Sequence, residues 1–263
     1  GRPATQMAGF GSQLSRVDIQ ELVDYIYTPL KEIPRWGMEQ IAKSHIVNYV
    51  HGTLPDKPQF KADPLNLFVV VELGDHHATI LDGDKLEPLH RFETRYALHG
   101  GPKYSPDGRF VYFGSRDGWV SKFDIYNFKV VAEIRAGINI RNIAVSGDGR
   151  YVMVANYLPH TLVVLDADNL KPIKLIPVQD GEGKGITSRV SAVYTAAPRE
   201  TFIAALKDLP EVWEISYADD PPPGFSGWEH SYNPESGDLV KPEPFPVRRI
   251  SVATQLDDFF FDQ

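Results

Sequence analysis

The chain has 263 residues, 42% of them hydrophobic, with no cysteine and a formal net charge of −8. That length supports a sizeable core and up to two domains. The acidic balance argues against a nucleic-acid partner, and the lack of cysteine excludes disulfides, thiolate metal sites and cysteine-borne cofactors within these residues. No apolar run approaches the roughly 20 residues of a transmembrane helix, and no basic-then-apolar signal segment opens the sequence.

Residues 1–50 differ in pattern from the rest. Ser15 and Asp18 have the spacing of a capping box, and Val17, Ile19, Leu22, Val23 and Ile26 recur on one helical face, so a helix is expected over 14–26, ending near Thr28 and Pro29. A second, shorter helical stretch is expected over 38–50, after the breakers Pro34 and Gly37. Residues 51–65, proline-rich and charged, read as a linker.

From residue 66 the period switches to strands. The stretch 104–137 is followed by a similar stretch 145–178, with Asp107-Gly108-Arg109 and Asp148-Gly149-Arg150 about one unit apart. Asp82, Asp124 and Asp166 each close an apolar strand and are spaced 42 and 42 residues. Several short alternating strands per unit at this period read as blades of an all-β propeller. A partial first blade (67–72 and 78–81), blades over 96–137 and 138–185, and a looser fourth unit over 188–216 are expected. Pro221 opens an irregular insertion to about residue 247, read as a surface loop. Both ends read as cut, and the propeller is expected to continue past Gln263 because a half-propeller would leave edge strands unpaired.

Candidate functional residues fall at matching points of the repeat. His99, Arg141 and Arg189 are expected just before the innermost strand of successive blades, and Arg116, Tyr157 and Lys207 at the turns between second and third strands. Antiparallel blades bring both loops to one mouth. Four cations, a phenol and an imidazole gathered there call for an anion with several carboxylates or phosphates. His99 is the one group among the six suited to a metal, and a metallated macrocycle with acidic side chains satisfies both demands. The alternative is that each arginine pairs with an aspartate of its own repeat, as Arg116 with Asp117 or Asp124.

Other residues carry weaker signals. His76 and His77 fall at the equivalent turn of the first blade, and adjacent strand residues point to opposite sides, so at most one reaches the mouth. His45, His51, His90, His160 and His230 lack metal-ligand spacing and read as surface histidines. Glu72, Asp75 and Asp117 lie near the mouth turns and could act as bases, though solvated ion pairs are the commoner fate. Residues 181–185 resemble a phosphate loop only in composition, and no hydrolase triad or zinc-protease motif occurs.

At these residues the chain resembles a known family. Tyr96-Ala97-Leu98-His99, the Asp107-Gly108-Arg109 turn, Gly114-Ser115-Arg116-Asp117-Gly118 and the Ala155-Asn156-Tyr157 stretch one blade later are similar to the haem d1 propeller of cytochrome cd1 nitrite reductase and its relatives. The resemblance covers roughly 66–263 and implies the N-terminal half of an eight-bladed β-propeller. Met7 followed by the 14–27 helix is similar to the end of a class I cytochrome c domain, so residues 1–50 are expected to be its C-terminal remnant. In the other reading Met7 is a terminal residue without a role.

The resemblance implies His99 as axial ligand of the d1 iron and Arg116, Arg141, Tyr157, Arg189 and Lys207 as the residues holding the macrocycle. It implies Met7 as axial ligand of a haem c whose attachment cysteines precede this chain. Residues 63–77 and the compact Asp-Gly-Arg blades look closer to the dihydro-haem d1 dehydrogenase type. That type oxidises a propionate of dihydro-haem d1 to an acrylate during haem d1 biosynthesis and passes electrons to the c-haem. Alternatives are a cytochrome cd1 nitrite reductase and a non-catalytic haem d1 carrier or assembly protein. A periplasmic location is implied, with haem d1 or its precursor as ligand and proteins of haem d1 assembly, or nitrite reductase, as partners. The catalytic residues of the far haem face are expected beyond Gln263.

Overall fold

The computed structural model describes residues 9–31, 35–181, 183–221, 224–225 and 243–261, and the structural statements below concern those residues. The chain divides into two compact units, Gly1–Arg35 and Trp36–Gln263. In the first unit one α-helix, α1, spans Arg16–Tyr27. Asp18 N–H donates to Ser15 Oγ at 3.1 Å and Ser15 N–H donates back to Asp18 Oδ2 at 2.8 Å. This reciprocal box satisfies two donors that the first helical turn leaves open. Val17, Leu22, Tyr25 and Ile26 of α1 are exposed. Met7 lies outside the described residues.

The second unit opens with a one-and-a-half-turn helix, α2 (Met38–Lys43), and continues as strands. These are β1 (Ile46–Val47), β2 (Leu67–Glu72), β3 (His77–Asp82), β4 (Glu87–Glu93), β5 (Leu98–Tyr104), β6 (Phe110–Ser115), β7 (Trp119–Asp124) and β8 (Lys129–Arg135). There follow β9 (Asn139–Val145), β10 (Tyr151–Leu158), β11 (Thr161–Asp166), β12 (Pro172–Pro177), β13 (Val190–Ala196), β14 (Thr201–Leu206), β15 (Glu211–Ser216) and β16 (Val247–Ser251). They build four antiparallel sheets among the described residues: β2-β3-β4, β5-β6-β7-β8 with β1 added outside β8, β9 to β12, and β13 to β16. Strands β5, β9 and β13 adjoin one another, so each sheet is a blade and these are its innermost strands.

The 38–50 helix of the sequence reading is shorter than expected. After α2 the β-branched Ile46 and Val47 pair with Glu133 and Ala132 on the edge of β8, where tertiary pairing outweighs local helix propensity. Trp36 Nε1 donates to the Arg135 carbonyl at 3.0 Å, and Ile41 is fully buried. Residues 36–50, grouped by the sequence reading with the cytochrome remnant, therefore pack with the strands, and the division between compact units falls at Arg35 and Trp36.

The core sits between blades. In β10 and β11, Met153, Ala155, Leu162 and Val164 face the fourth sheet, and Val152, Val154, Val163 and Leu165 face the second. Period-two alternation thus buries both faces of the third sheet. A third cluster, with Ile80, Leu98, Val111, Phe113 and Phe123, joins the first two sheets. The aspartates that mark the repeat close turns: Asp82 Oδ1 accepts from Asp84 N, Asp124 Oδ1 from Tyr126 N and Asp166 Oδ1 from Asp168 N at 3.0, 2.9 and 2.8 Å.

The turn after β6 brings Gly118 against the backbone of Gly137. Gly118 has φ +92°, and a Cβ there would lie 1.9 Å from the Gly137 carbonyl oxygen. Gly118→Ala combines left-handed strain with a backbone clash. It is expected to cost about 2 kcal/mol or more and to lower Tm by at least about 4 °C in thermal unfolding.

Candidate functional site

Alternating strand direction places the entry to each innermost strand and the turn between second and third strands at the same end of a sheet. The six candidates are at that end. His99 is the second residue of β5 and Arg141 the third of β9, inside their strands rather than just before them, while Arg189 immediately precedes β13. Arg116 follows β6, Tyr157 lies near the end of β10 and Lys207 follows β14. All six are half-buried.

Four of them form a continuous row across three blades. His99 Nδ1 is 2.8 Å from the Arg141 carbonyl and Nε2 is 2.6 Å from Arg141 Nη1. Arg141 and Arg189 each place their guanidinium over the Tyr157 ring, 5.7 and 5.4 Å from its centroid. Arg189 is gripped by Asp208 through Nε at 3.0 Å and Nη2 at 2.5 Å, and Lys207 is paired with Asp257. The own-repeat pairing weighed above therefore holds for Arg189. It does not hold for Arg116: Asp124 binds Arg109 at 3.0 Å, and Asp117 accepts from Ser115 at 2.5 Å. Among the described residues Arg116 makes no ion pair.

Burial holds the His99 imidazole below the ordinary histidine range; the Arg116 and Arg141 charges add to this, against the carbonyl bond that favours protonation. A neutral ring is what a metal requires. The Asp208 carboxyl is lowered to about 2, chiefly by its hydrogen bond to Arg189. Beside His99 opens a cleft of about 420 Å³ lined by Val69, Val71, Leu73, Pro102 and Phe113.

Several residues of the site were not singled out from the sequence. Gly100 and Gly101, at φ +79° and +71°, bulge out of β5 directly after His99, as the pairing shift between His99 and Lys103 records. A Cβ on Gly100 would meet Asn142 Oδ1 at 2.6 Å, so glycine is what lets β5 and β9 approach. Asn142 is buried and donates to the Val193 carbonyl at 3.2 Å, tying β9 to β13. Lys103 Nζ donates to the Gly100 carbonyl at 2.5 Å, and burial lowers its pKa. The adjacent glycines were the available signal; Asp208 and Asp257 carried none.

The remaining candidates have other partners. Glu72 and Asp75 pair with Arg91, and His77 lies 3.5 Å from Asp75. His90 is half-buried and stacked on Phe128 at 4.8 Å, and burial lowers its pKa. His45, His51 and His160 bind the Asn169 carbonyl, Asp168 and Thr187; His230 lies outside the described residues. No group of three or more His, Cys, Asp or Glu gathers as a metal site among the described residues, and no helix there is long and apolar enough to cross a membrane.

The family model of the cytochrome D1 heme domain matches residues 62–229. The chain belongs to that family. It is 54% identical over 261 residues to the dihydro-heme d1 dehydrogenase of Pseudomonas aeruginosa, covering 99% of this chain and 48% of the relative. It is 33% identical to protein NirF of the same organism over 59% of this chain and 40% of NirF. Among solved structures it superposes on dihydro-heme d1 dehydrogenase NirN in complex with DHE with a TM-score of 0.81 and 53% identity, covering 100% of this chain and 51% of the other. The β-propeller domain of Cps50 (Swd1) from Myceliophteria thermophila, 13% identical with a TM-score of 0.51, shares the fold over 65% of this chain and 54% of its own. The chain spans about half the length of the dehydrogenase relatives it matches.

The Asp208–Arg189 pair has a pH signature. A carboxyl whose folded pKa lies below its ordinary 3.8 adds stability that is present above that value and lost as pH falls towards about 2. Arg189→Leu is expected to return Asp208 to the ordinary carboxylate range, read by carboxyl-carbon NMR titration, and to abolish the acid-side stability loss assigned to this pair.

Proposed function

We propose that this chain is the part of a periplasmic oxidoreductase that binds and orients a d1-type haem, and that the whole protein dehydrogenates dihydro-haem d1 as a step of haem d1 biosynthesis. The observation that carries the reading is the state of His99. Its Nδ1–H is committed to the Arg141 carbonyl, which leaves Nε2 as the ring nitrogen that carries the lone pair, the arrangement that orients metal-ligating histidines. A single imidazole is enough for an iron whose equatorial positions a macrocycle fills. The charges at the mouth suit the acidic rim of such a macrocycle. The 54% identity to a dihydro-heme d1 dehydrogenase supports the same choice.

In the reaction proposed, a propionate side chain becomes an acrylate: one hydrogen leaves each of the two side-chain carbons, so that two protons and two electrons depart and a C=C bond forms. Met7 would be the residue of this chain that holds a c-type haem, and that haem would supply a one-electron acceptor. This chain's residues bind and aim. His99 would hold the iron, Arg116, Arg141, Arg189 and Lys207 would meet carboxylates, and Tyr157 would keep two guanidinium groups in register. Holding the reacting side chain in one orientation is worth orders of magnitude in rate.

With the full-length protein and dihydro-haem d1, wild type is expected to give a histidine-ligated visible spectrum and a product lighter by two hydrogen atoms in mass spectrometry. His99→Ala should lose the ligation spectrum, and an unchanged spectrum removes His99 from the site. Arg116→Leu should weaken haem binding by roughly 10-fold, the effect of one charge-assisted hydrogen bond. In the same protein Met7→Ala should abolish the thioether-to-iron charge-transfer band and lower the c-haem potential; a surviving band refutes the electron-transfer role.

A further inference from the structure

Directly after His99, strand β5 leaves its ladder. His99 pairs with Gly114 and Lys103 with Tyr112, so residues 100–102 stand outside the pairing with β6. Gly100 and Gly101 make the excursion at positive φ, +79° and +71°, and Pro102 has no N–H to offer. A carbonyl turned out of a ladder needs another donor. For Gly100 that donor is the Lys103 ammonium, 2.5 Å away, which ties the two ends of the bulge together. The tie matters because of what lies against it. Gly100 packs on the backbone of β9, where a Cβ would come within 3.1 Å of Asn142 Cα and 3.2 Å of the Arg141 carbonyl oxygen. That oxygen is the one His99 Nδ1 meets at 2.8 Å.

We propose that Lys103 is a positioning residue for the axial histidine: by holding the Gly100 carbonyl it fixes the bulge, and through the bulge the hydrogen bond that orients the His99 ring. The inference rests on the haem reading above and deepens it. Lys103 is half-buried, and its contacts are that carbonyl and the face of Tyr194 at 6.0 Å, with no ion pair among the described residues. The carboxylate on that side, Asp258, is taken by the Tyr194 hydroxyl at 2.9 Å and by the Phe259 N–H at 2.9 Å. An ammonium drawn out of water to a neutral acceptor is costly, and its bond to a carbonyl is stronger than that of a neutral donor. The charge therefore acts at this one backbone group, one residue from the ligand histidine.

The test reads the ring before any haem is added. In haem-free full-length protein carrying histidine labelled in the ring nitrogens, wild type is expected to show His99 in NMR as a single Nδ1–H tautomer, assigned by its loss in His99→Ala. Lys103→Met keeps the aliphatic stem and removes the donor. It should move the His99 ring nitrogens toward the averaged shifts of mixed tautomers, and weaken iron haem d1 binding about 10-fold in a titration followed by visible spectroscopy. Lys103→Arg, which keeps the charge and the donors, should restore both. An unchanged tautomer in Lys103→Met overturns the inference even if affinity falls, because a lysine that only meets the ligand weakens binding without moving the ring. An unchanged affinity, or a deficit as large in Lys103→Arg, overturns it too. Lys103→Leu reads the same comparison if thermal unfolding shows the methionine variant to be misfolded. Failure of wild type to bind haem d1 removes the haem reading, while the haem-free comparison still decides whether Lys103 holds the ring, so the two failures are distinct.

Discussion

The innermost strands of neighbouring blades have to come close enough for a side chain on one to be fixed by the backbone of the next, and the site depends on that approach. At β5 and β9 it is reached through a glycine: at Gly100 any larger residue would meet Asn142. The same spot bulges, so β5 loses its ladder register over the residues between His99 and Lys103. The approach lets the Arg141 carbonyl accept from His99, which decides the tautomer and hence what the ring can offer a metal. Asn142 carries the constraint onward to β13 through the Val193 carbonyl. The geometry of the imidazole is thus a property of three blades.

The two ends of the sheets use cations differently. At the end opposite the mouth, Arg109 meets Asp124 and Asp56, Arg150 meets Asp148 and Asp219, and Arg199 and Arg248 share the buried Glu214. Each of those charges has a carboxylate, and the two buried carboxylates, Asp124 and Glu214, are both paired as burial demands. At the mouth the balance is incomplete. Arg189 and Lys207 have acidic partners, whereas Arg116 has none and Arg141 is held by neutral groups. An acidic chain that could have supplied more carboxylates leaves two guanidinium groups half-buried beside a histidine. That local imbalance, rather than the number of arginines, distinguishes the mouth from the opposite end of the sheets.

The propeller was legible because its repeat rests on local chemistry: alternating apolar strands, Asp-Gly turns and an aspartate that closes the turn after β3, β7 and β11. The mouth set was legible for the same reason, since the repeat fixes which end of a blade each position occupies. Limits appeared where tertiary contacts overrode local pattern. Residues 46–47 became a strand because β8 offered a free edge, and His90 is half-covered because Phe92 and Phe128 offered aromatic faces. The partners Asp208 and Asp257 lie at loop positions with no periodicity to mark them, and which arginine stays unpaired is a fact of geometry.

The second blade holds both ends of this arrangement in one hydrogen-bonded sheet. Its innermost strand carries His99, and its outermost strand, which would otherwise be an open edge, is covered by β1 and the α2 segment. Across its face, Arg95 donates to both oxygens of Glu133 at 2.9 and 2.7 Å and lies 3.9 Å over the Trp119 ring, pinning the loop that enters β5. The loop immediately before His99 is thereby referenced to β8, and β8 to the segment preceding the propeller. A ladder of paired strands deforms less readily than a loop, so the position of His99 at the start of β5 is fixed through the sheet, while Arg141, on the neighbouring blade, makes no ion pair among the described residues.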